Sequence, residues 1–314
     1  MHAARLFVLV LAAMCVAIGA GGCQKNTTTG RSQFLLLSLE QEAQLGAEAK
    51  PQMLAEMGGE IARGEIRAYV TQVGNRLLVP ALERDPEMRA LAWEFTVLDS
   101  DVINAFALPG GKVFMSRGLM QKMTNEAQLA AVLGHEIGHV TARHGNERVS
   151  RTAAAQMGLE VASSVLSGSE SGPLITQLAG QGTQLFLMRY DRRQESESDS
   201  LGAEYMVGVK YDPMGAVQVM EILAEAAGGQ SPPEILSTHP DPARRAQDLR
   251  AKIAAEFSFS QGNPEYTLRE AEFRQNVLRR LSTAYPHAGT PRLAAYPREG
   301  MPEGATCSFA GCGH

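Results

Sequence analysis

Between Thr124 and His144 the chain carries Leu129, Val132, Leu133, Ile137 and Val140 at helical spacing, a stripe that predicts an α-helix entered through Thr124 or Asn125 with its apolar face buried. The same helix holds His135-Glu-Ile-Gly-His139. Residues i and i+4 share a helical face, so both imidazoles can reach one ion, while Glu136 is turned about 100° away, beside a water on that ion. Zinc suits such a set because it lowers the pKa of bound water to about 7, where a neighbouring carboxylate can take the proton. With 7 histidines among 314 residues, about 0.013 matches to this pattern are expected by chance. Incidental histidines on a surface helix are therefore a poor alternative.

Two histidines leave a catalytic zinc one protein ligand short. His144 stands five residues after His139, which on a continuous helix places it about 140° around the axis, pointing elsewhere. A distant helix is the better source. Glu195-Ser-Glu-Ser-Asp199 puts Glu195 and Asp199 one turn apart on a common face, so that one carboxylate can bind zinc while the other accepts the N–H of a ligand histidine. Glu197 then points away and reads as a solvated charge.

Around this helix the pattern is α+β and predominantly α-helical. Residues 38–57 read as a helix entered through Ser38 that Pro51 should kink or end. Ile66, Tyr69, Val70, Val73 and Leu77 mark a second amphipathic helix. Trp93, Phe95 and Val97 alternate with Glu94 and Thr96, which predicts a strand with one buried face. Asn104–Leu108, Pro109-Gly-Gly111 and Lys112–Ser116 give strand, turn, strand immediately before the histidine helix. Further helices are expected at 150–166, 173–190, 195–209, 213–226, 241–256 and 264–282, the pair at 150–190 being placed to cover a cleft. The first edge strand, with Asn104, Ala105, Phe106 and Ala107, is where an extended peptide could add itself to the sheet.

The ends read differently. Arg5, the apolar run Leu6–Ile18 and Gly19-Ala-Gly-Gly-Cys23 form a secretory signal, with cleavage before Cys23 for lipidation or, alternatively, after Gly19 to leave a soluble protein. Residues 23–30 would be a polar tether, residues 31–285 one domain and residues 286–314 a disordered tail, in which Cys307 and Cys312 could close a small disulfide loop. A net charge of −5, with 29 Lys+Arg against 34 Asp+Glu, leaves no basic surplus for a nucleic-acid partner. No segment after the signal is apolar enough to span a membrane, so any membrane contact is expected through an N-terminal lipid only.

These residues resemble a known family. His135-Glu-Ile-Gly-His139, Glu195-x-Glu-x-Asp199-x-x-Gly202 and Thr238-His-Pro240 with Arg245 are similar to the gluzincin metallopeptidases of the HtpX and CAAX-prenyl-protease type, above all to compact bacterial lipoprotein members such as LoiP and BepA. The likeness extends to Thr29-Gly-Arg31, to Leu39-Glu-Gln-Glu-Ala-Gln-Leu-Gly46 and to Asn104-Ala-Phe-Ala-Leu-Pro-Gly-Gly111, covering roughly residues 29–250 in separate blocks. It implies a zincin-like metalloprotease domain with one zinc ion on His135, His139 and Glu195. It also implies Glu136 as general base, Asp199 against a ligand histidine, and His239 at the oxyanion or at the open zinc position. Arg245 would anchor its loop or contact substrate. Unfolded or misassembled envelope proteins are the implied substrates. Ser198 departs from the Ala of many members, and there is no sign of the membrane helices or the C-terminal tetratricopeptide repeats that other members carry.

Overall fold

The computed structural model describes residues 23–157, 188–228 and 233–285. Helix α1 (Leu39–Glu56) opens on a capping box in which the Ser38 side chain accepts from the Gln41 amide and Gln41 reaches back to the Ser38 amide. It runs on through Pro51 rather than ending there. Pro51 lies on the exposed face, where water can serve the Ala47 carbonyl that loses its helical partner. Helix α2 (Gly64–Arg84) buries Ile66, Tyr69, Val70, Val73 and Leu77 along one side.

A three-stranded sheet follows, from β3 (Glu94–Leu98), β4 (Ala105–Leu108) and β5 (Lys112–Ser116), with β5 central, parallel to β3 and antiparallel to β4. Gly110 and Gly111 turn the β4–β5 hairpin at φ +79° and +83°, a conformation that favours glycine. A Cβ on Gly110 would also lie 2.5 Å from the Ala43 Cα of α1. Strand β3 was expected to bury one face, yet Thr96 is only 4% exposed. The reason is a second layer. Phe95, Val97, Ala105 and Ala107 belong to the main core with α2, while Leu98, Phe106, Leu108 and Phe114 pack on Leu45, Ala49 and Met53 of α1.

Helix α3 (Glu126–Thr141) is capped by Asn125, whose side chain accepts from the Gln128 amide, and all of its residues are buried. After Arg143, at φ +54°, the chain turns into α4 (His144–Met157). Helices α5 (Arg192–Gly208) and α6 (Met214–Ala227) pack on α3, and α7 (Pro242–Glu256) closes against α6. The helix expected at 264–282 begins only at Glu270 and includes a π-helical turn at Arg274–Leu278. No described helix is long and apolar enough to cross a membrane.

The N-terminal stretch is not a free tether. Strands β1 (Cys23–Lys25) and β2 (Ser32–Phe34) pair as an antiparallel hairpin. Asn26 donates to the Thr141 carbonyl at 3.1 Å and Thr28 to Asp85 at 3.1 Å, so buried polar groups of residues 23–30 are tied to the domain. The expected signal segment, the helix expected at 173–190, most of that expected at 150–166 and the tail with Cys307 and Cys312 lie outside the described residues.

Candidate metal centre

The close approach of α3 and α5 depends on glycine. A Cβ on Gly202 would lie 2.9 Å from the His135 amide nitrogen, and one on Gly138 would lie 3.1 Å from the Ser198 Cα. With those positions bare, the two backbones nearly touch and the carboxylates of α5 meet the imidazoles of α3. A single helical turn at Ile235–Thr238 ends on His239 and brings a third imidazole from another direction.

His135, His139, Glu195 and His239 are all buried, and one ligand atom from each lies within 4.8 Å of the others. The Nε2 atoms of His135 and His139 are 3.0 Å apart, and His139 Nε2 is 3.3 Å from Glu195 Oε1. His239 Nδ1 is 2.9 Å from Glu195 Oε1 and 3.2 Å from His135 Nε2. Donors at zinc-ligand distance around a common tetrahedral ion are separated by about 3.3 Å. The donor set therefore fits a zinc-sized cation in both chemistry and spacing.

The surrounding groups hold these donors in place. Asp199 Oδ1 is 2.9 Å from His135 Nδ1, and Arg245 donates to both oxygens of Asp199 at 2.8 and 2.6 Å while its other terminal nitrogen is 2.5 Å from Glu195 Oε2. Burial pushes the Glu195 carboxyl up, but His239 and Arg245 more than offset this and hold it well below the usual carboxylate range. Asp199 is likewise held down, burial being outweighed by Arg245. His139 falls well below the usual imidazole range, through burial and then through His135, which leaves it neutral and able to ligate. Burial would lower His239 too, but Glu195 and Glu136 raise it.

Glu136 differs from all of these. It is 1% exposed and neither carboxylate oxygen has a hydrogen-bond partner among the described residues. Burial accordingly pushes its pKa up. His239 Nε2, also without a hydrogen-bond partner among the described residues, stands 3.6 Å from Glu136 Oε1. A cleft opens beside the pair, with Val132, Met220, Leu223 and Ile235 among its lining residues. A buried carboxylate left unpaired beside a cation site is what a proton acceptor needs and what a structural residue avoids.

Residues 67–253 match the family described as peptidase family M48. The chain belongs to that family. The mitochondrial metalloendopeptidase OMA1 of Schizosaccharomyces pombe is 31% identical over 225 residues, covering 70% of this chain and 64% of that protein. The beta-barrel assembly-enhancing protease of Escherichia coli K12 is 30% identical over 256 residues, 78% of this chain and 51% of its own length. OMA1 of Bos taurus is 32% identical over 237 residues, 73% of this chain and 44% of its own. The chain thus spans between 44% and 64% of the length of these relatives. The mainly helical, zincin-like domain expected from the residues is the one observed.

Not every expectation about this M48 centre matches its surroundings. Arg245 is 3% exposed and its N–H groups face Asp199, Glu195 and His135, which favours anchoring over substrate contact. Asn104 donates to Glu234 at 3.2 Å, and Ala105, Phe106 and Ala107 are buried in β4, at the sheet edge with no further strand beyond it among the described residues. Glu197 is no solvated charge: its side chain is 20% exposed and it accepts from His144 at 2.9 Å and from Arg31. His144 does not point elsewhere, because α3 ends at Thr141 and the turn at Arg143 brings its ring back onto His139, 2.9 Å away between Nδ1 atoms. Tyr190 was not foreseen at all. Its ring stacks on His139 at 3.8 Å and its amide donates to the Thr238 carbonyl at 3.0 Å. A lone tyrosine ahead of the Asp191 cap carries no sequence signal of this contact.

Proposed function

We propose that the chain is a zinc-dependent endopeptidase of the bacterial cell envelope that hydrolyses misfolded or misassembled envelope proteins. The observation that carries the chemistry is the unpartnered, buried Glu136 carboxylate beside a four-donor set. His135, His139 and Glu195 hold the ion, and Asp199 keeps the His135 proton on Nδ1 so that Nε2 is free to ligate. When bound, zinc acidifies a water and polarises the scissile carbonyl. Glu136 takes the proton of the attacking water and delivers it to the amine nitrogen as the C–N bond breaks. His239 Nε2 is available to donate to the developing oxyanion.

The envelope assignment rests on the signal-like segment ending at Cys23 and on the likeness to a relative named for β-barrel assembly. Lipidation of Cys23 would hold the protein at the periplasmic side of the outer membrane; cleavage after Gly19 would leave it soluble in the periplasm. The test is zinc content together with degradation of casein and of unfolded outer-membrane proteins, compared between wild type and Glu136→Gln. The variant should keep one zinc per chain and lose cleavage; a variant that cuts like wild type sinks the mechanism.

The position of His239 favours a second reading, a holding factor whose metal is closed by a fourth protein ligand. Its Nδ1 lies as close to His135 Nε2 and Glu195 Oε1 as His139 Nε2 does. His239→Ala separates the two: appearance or rise of proteolysis marks a latent protease, and zinc binding without cleavage in every variant favours the holding factor.

A further inference from the structure

Every metal-ligating histidine needs its second nitrogen held in the right protonation state. For His135 that partner is a carboxylate. For His139 it is another histidine. His139 Nε2 faces the donor set, so it must carry the lone pair and the ring proton must sit on Nδ1. That proton points at His144 Nδ1, 2.9 Å away, which must therefore be bare. The His144 proton is then on Nε2, donated to Glu197 Oε2 at 2.9 Å. Arg31 completes the series, giving Nε to Glu197 Oε1 at 2.9 Å and its terminal nitrogens to the two Glu147 oxygens at 2.9 and 2.8 Å. Each proton in this chain has one place consistent with a ligating His139.

The fold goes to some length to make it. His144 is 0% exposed and reaches His139 only because Arg143 takes a left-handed conformation at φ +54°. This conformation is strained for a residue with a side chain, and Arg143 is held there by donating to Glu42 at 2.6 Å and to the Leu37 carbonyl at 2.8 Å. Arg31 comes from the β1–β2 hairpin, whose Gln33 donates to the Ala142 carbonyl at 2.7 Å, within that same turn.

The geometry points to His144, Glu197 and Arg31 as a positioning chain that fixes the tautomer of His139, making the N-terminal hairpin part of the metal centre. This rests on the metallopeptidase reading, and it assigns roles to residues that touch neither the ion nor the substrate. The chain predicts that metal affinity responds to changes at Arg31, whose charge acts on the ligand His139 through two intervening side chains, Glu197 and His144.

The experiment measures zinc affinity of the full chain by chelator competition, the visible spectrum of the cobalt-substituted protein, and histidine ¹⁵N shifts of the metal-free protein. His144→Phe, which fills the space without an acceptor, should weaken zinc binding about 10- to 100-fold, alter the cobalt spectrum and leave His139 a mixture of tautomers. His144→Asn should recover much of the loss, because its side-chain oxygen can accept from His139 Nδ1. Arg31→Met should weaken binding several-fold. Unchanged zinc affinity and cobalt spectrum in His144→Phe, with only thermal stability lowered, would overturn the proposal. If His144→Phe does not fold, Arg31→Met decides, and wild-type affinity in it overturns the proposal. A wild type that holds no zinc defeats the metallopeptidase reading instead; the ¹⁵N shifts still decide between a fixed Nδ1–H tautomer of His139, which supports the chain, and a mixture, which overturns it.

Discussion

Helix α3 buries a glutamate near each end, and the two live in opposite environments. Glu126 and Glu136 are each 1% exposed. Glu126 accepts from the hydroxyls of Tyr69 and Tyr211 and from the guanidinium groups of Arg76 and Arg269. Burial pushes its pKa up, but the two tyrosines and Arg76 outweigh that, and it titrates below the usual carboxylate value. Glu136 has the same burial and none of the hydrogen bonds, and its pKa is raised. Burial alone therefore does not distinguish a structural carboxylate from a chemical one. What distinguishes them is whether the oxygens are satisfied: a fully paired group stabilises the fold, whereas an unpaired one beside a cation site is a candidate proton acceptor.

The contrast is sharpest in activity. Glu136→Gln should lower the rate of casein cleavage by about 10³-fold, the usual worth of a general base, with zinc content unchanged. Glu126→Gln should leave cleavage per folded molecule at the wild-type level. Comparable losses in both variants would show that satisfaction does not separate the two roles.

In stability the order reverses. Glu126→Gln weakens charge-assisted hydrogen bonds from two arginines, and should cost on the order of 2 kcal/mol in denaturant unfolding. Arg76→Met should cost less, because the Arg76 side chain is 31% exposed and Glu126 keeps three other donors. If Glu126→Gln unfolds at the wild-type denaturant concentration, the network around it is not a source of stability.

Much of this was legible in the residues and part was not, for identifiable reasons. Helix α2, the Asn125 cap of α3 and the Pro109-Gly-Gly111 hairpin follow from local periodicity and turn chemistry, and they stand where expected. His135, Glu136 and His139 share one helix, so their spacing carries the information directly, and Glu195 with Asp199 does the same on α5. The Glu126 cluster draws on Tyr69, Arg76, Tyr211 and Arg269, which come from three separate segments and meet only after packing. The end of α3 was hidden for a different reason. A left-handed turn usually announces itself with glycine, but here Arg143 adopts it, held by Glu42 and the Leu37 carbonyl. Without that cue a continuous helix was the natural reading, and His144 was aimed the wrong way. Thr96 misled because alternation reports one covered face, whereas α1 covers the other.

The smallest expected effect is also the least intuitive. In metal-free protein Glu136→Gln should raise stability, by about 1 kcal/mol, because it removes a buried charge that has no hydrogen bond. The pH dependence then separates the two glutamates by sign. Glu126 has a folded pKa below its ordinary value, so its contribution is fully present above that value of 4.5 and is lost as pH falls through the folded pKa. The penalty of Glu126→Gln should accordingly shrink below about pH 4.5. Glu136 has a folded pKa above its ordinary value of 4.5, so it costs nothing at low pH and an increasing amount as pH rises from there to the folded pKa. The gain from Glu136→Gln should therefore vanish in acid and grow toward neutrality, read from urea unfolding in the presence of a chelator. If instead Glu136→Gln costs stability at neutral pH and that cost shrinks in acid, as for Glu126→Gln, Glu136 is paired in the metal-free fold, and the unsatisfied carboxylate that sets it apart from Glu126 does not exist.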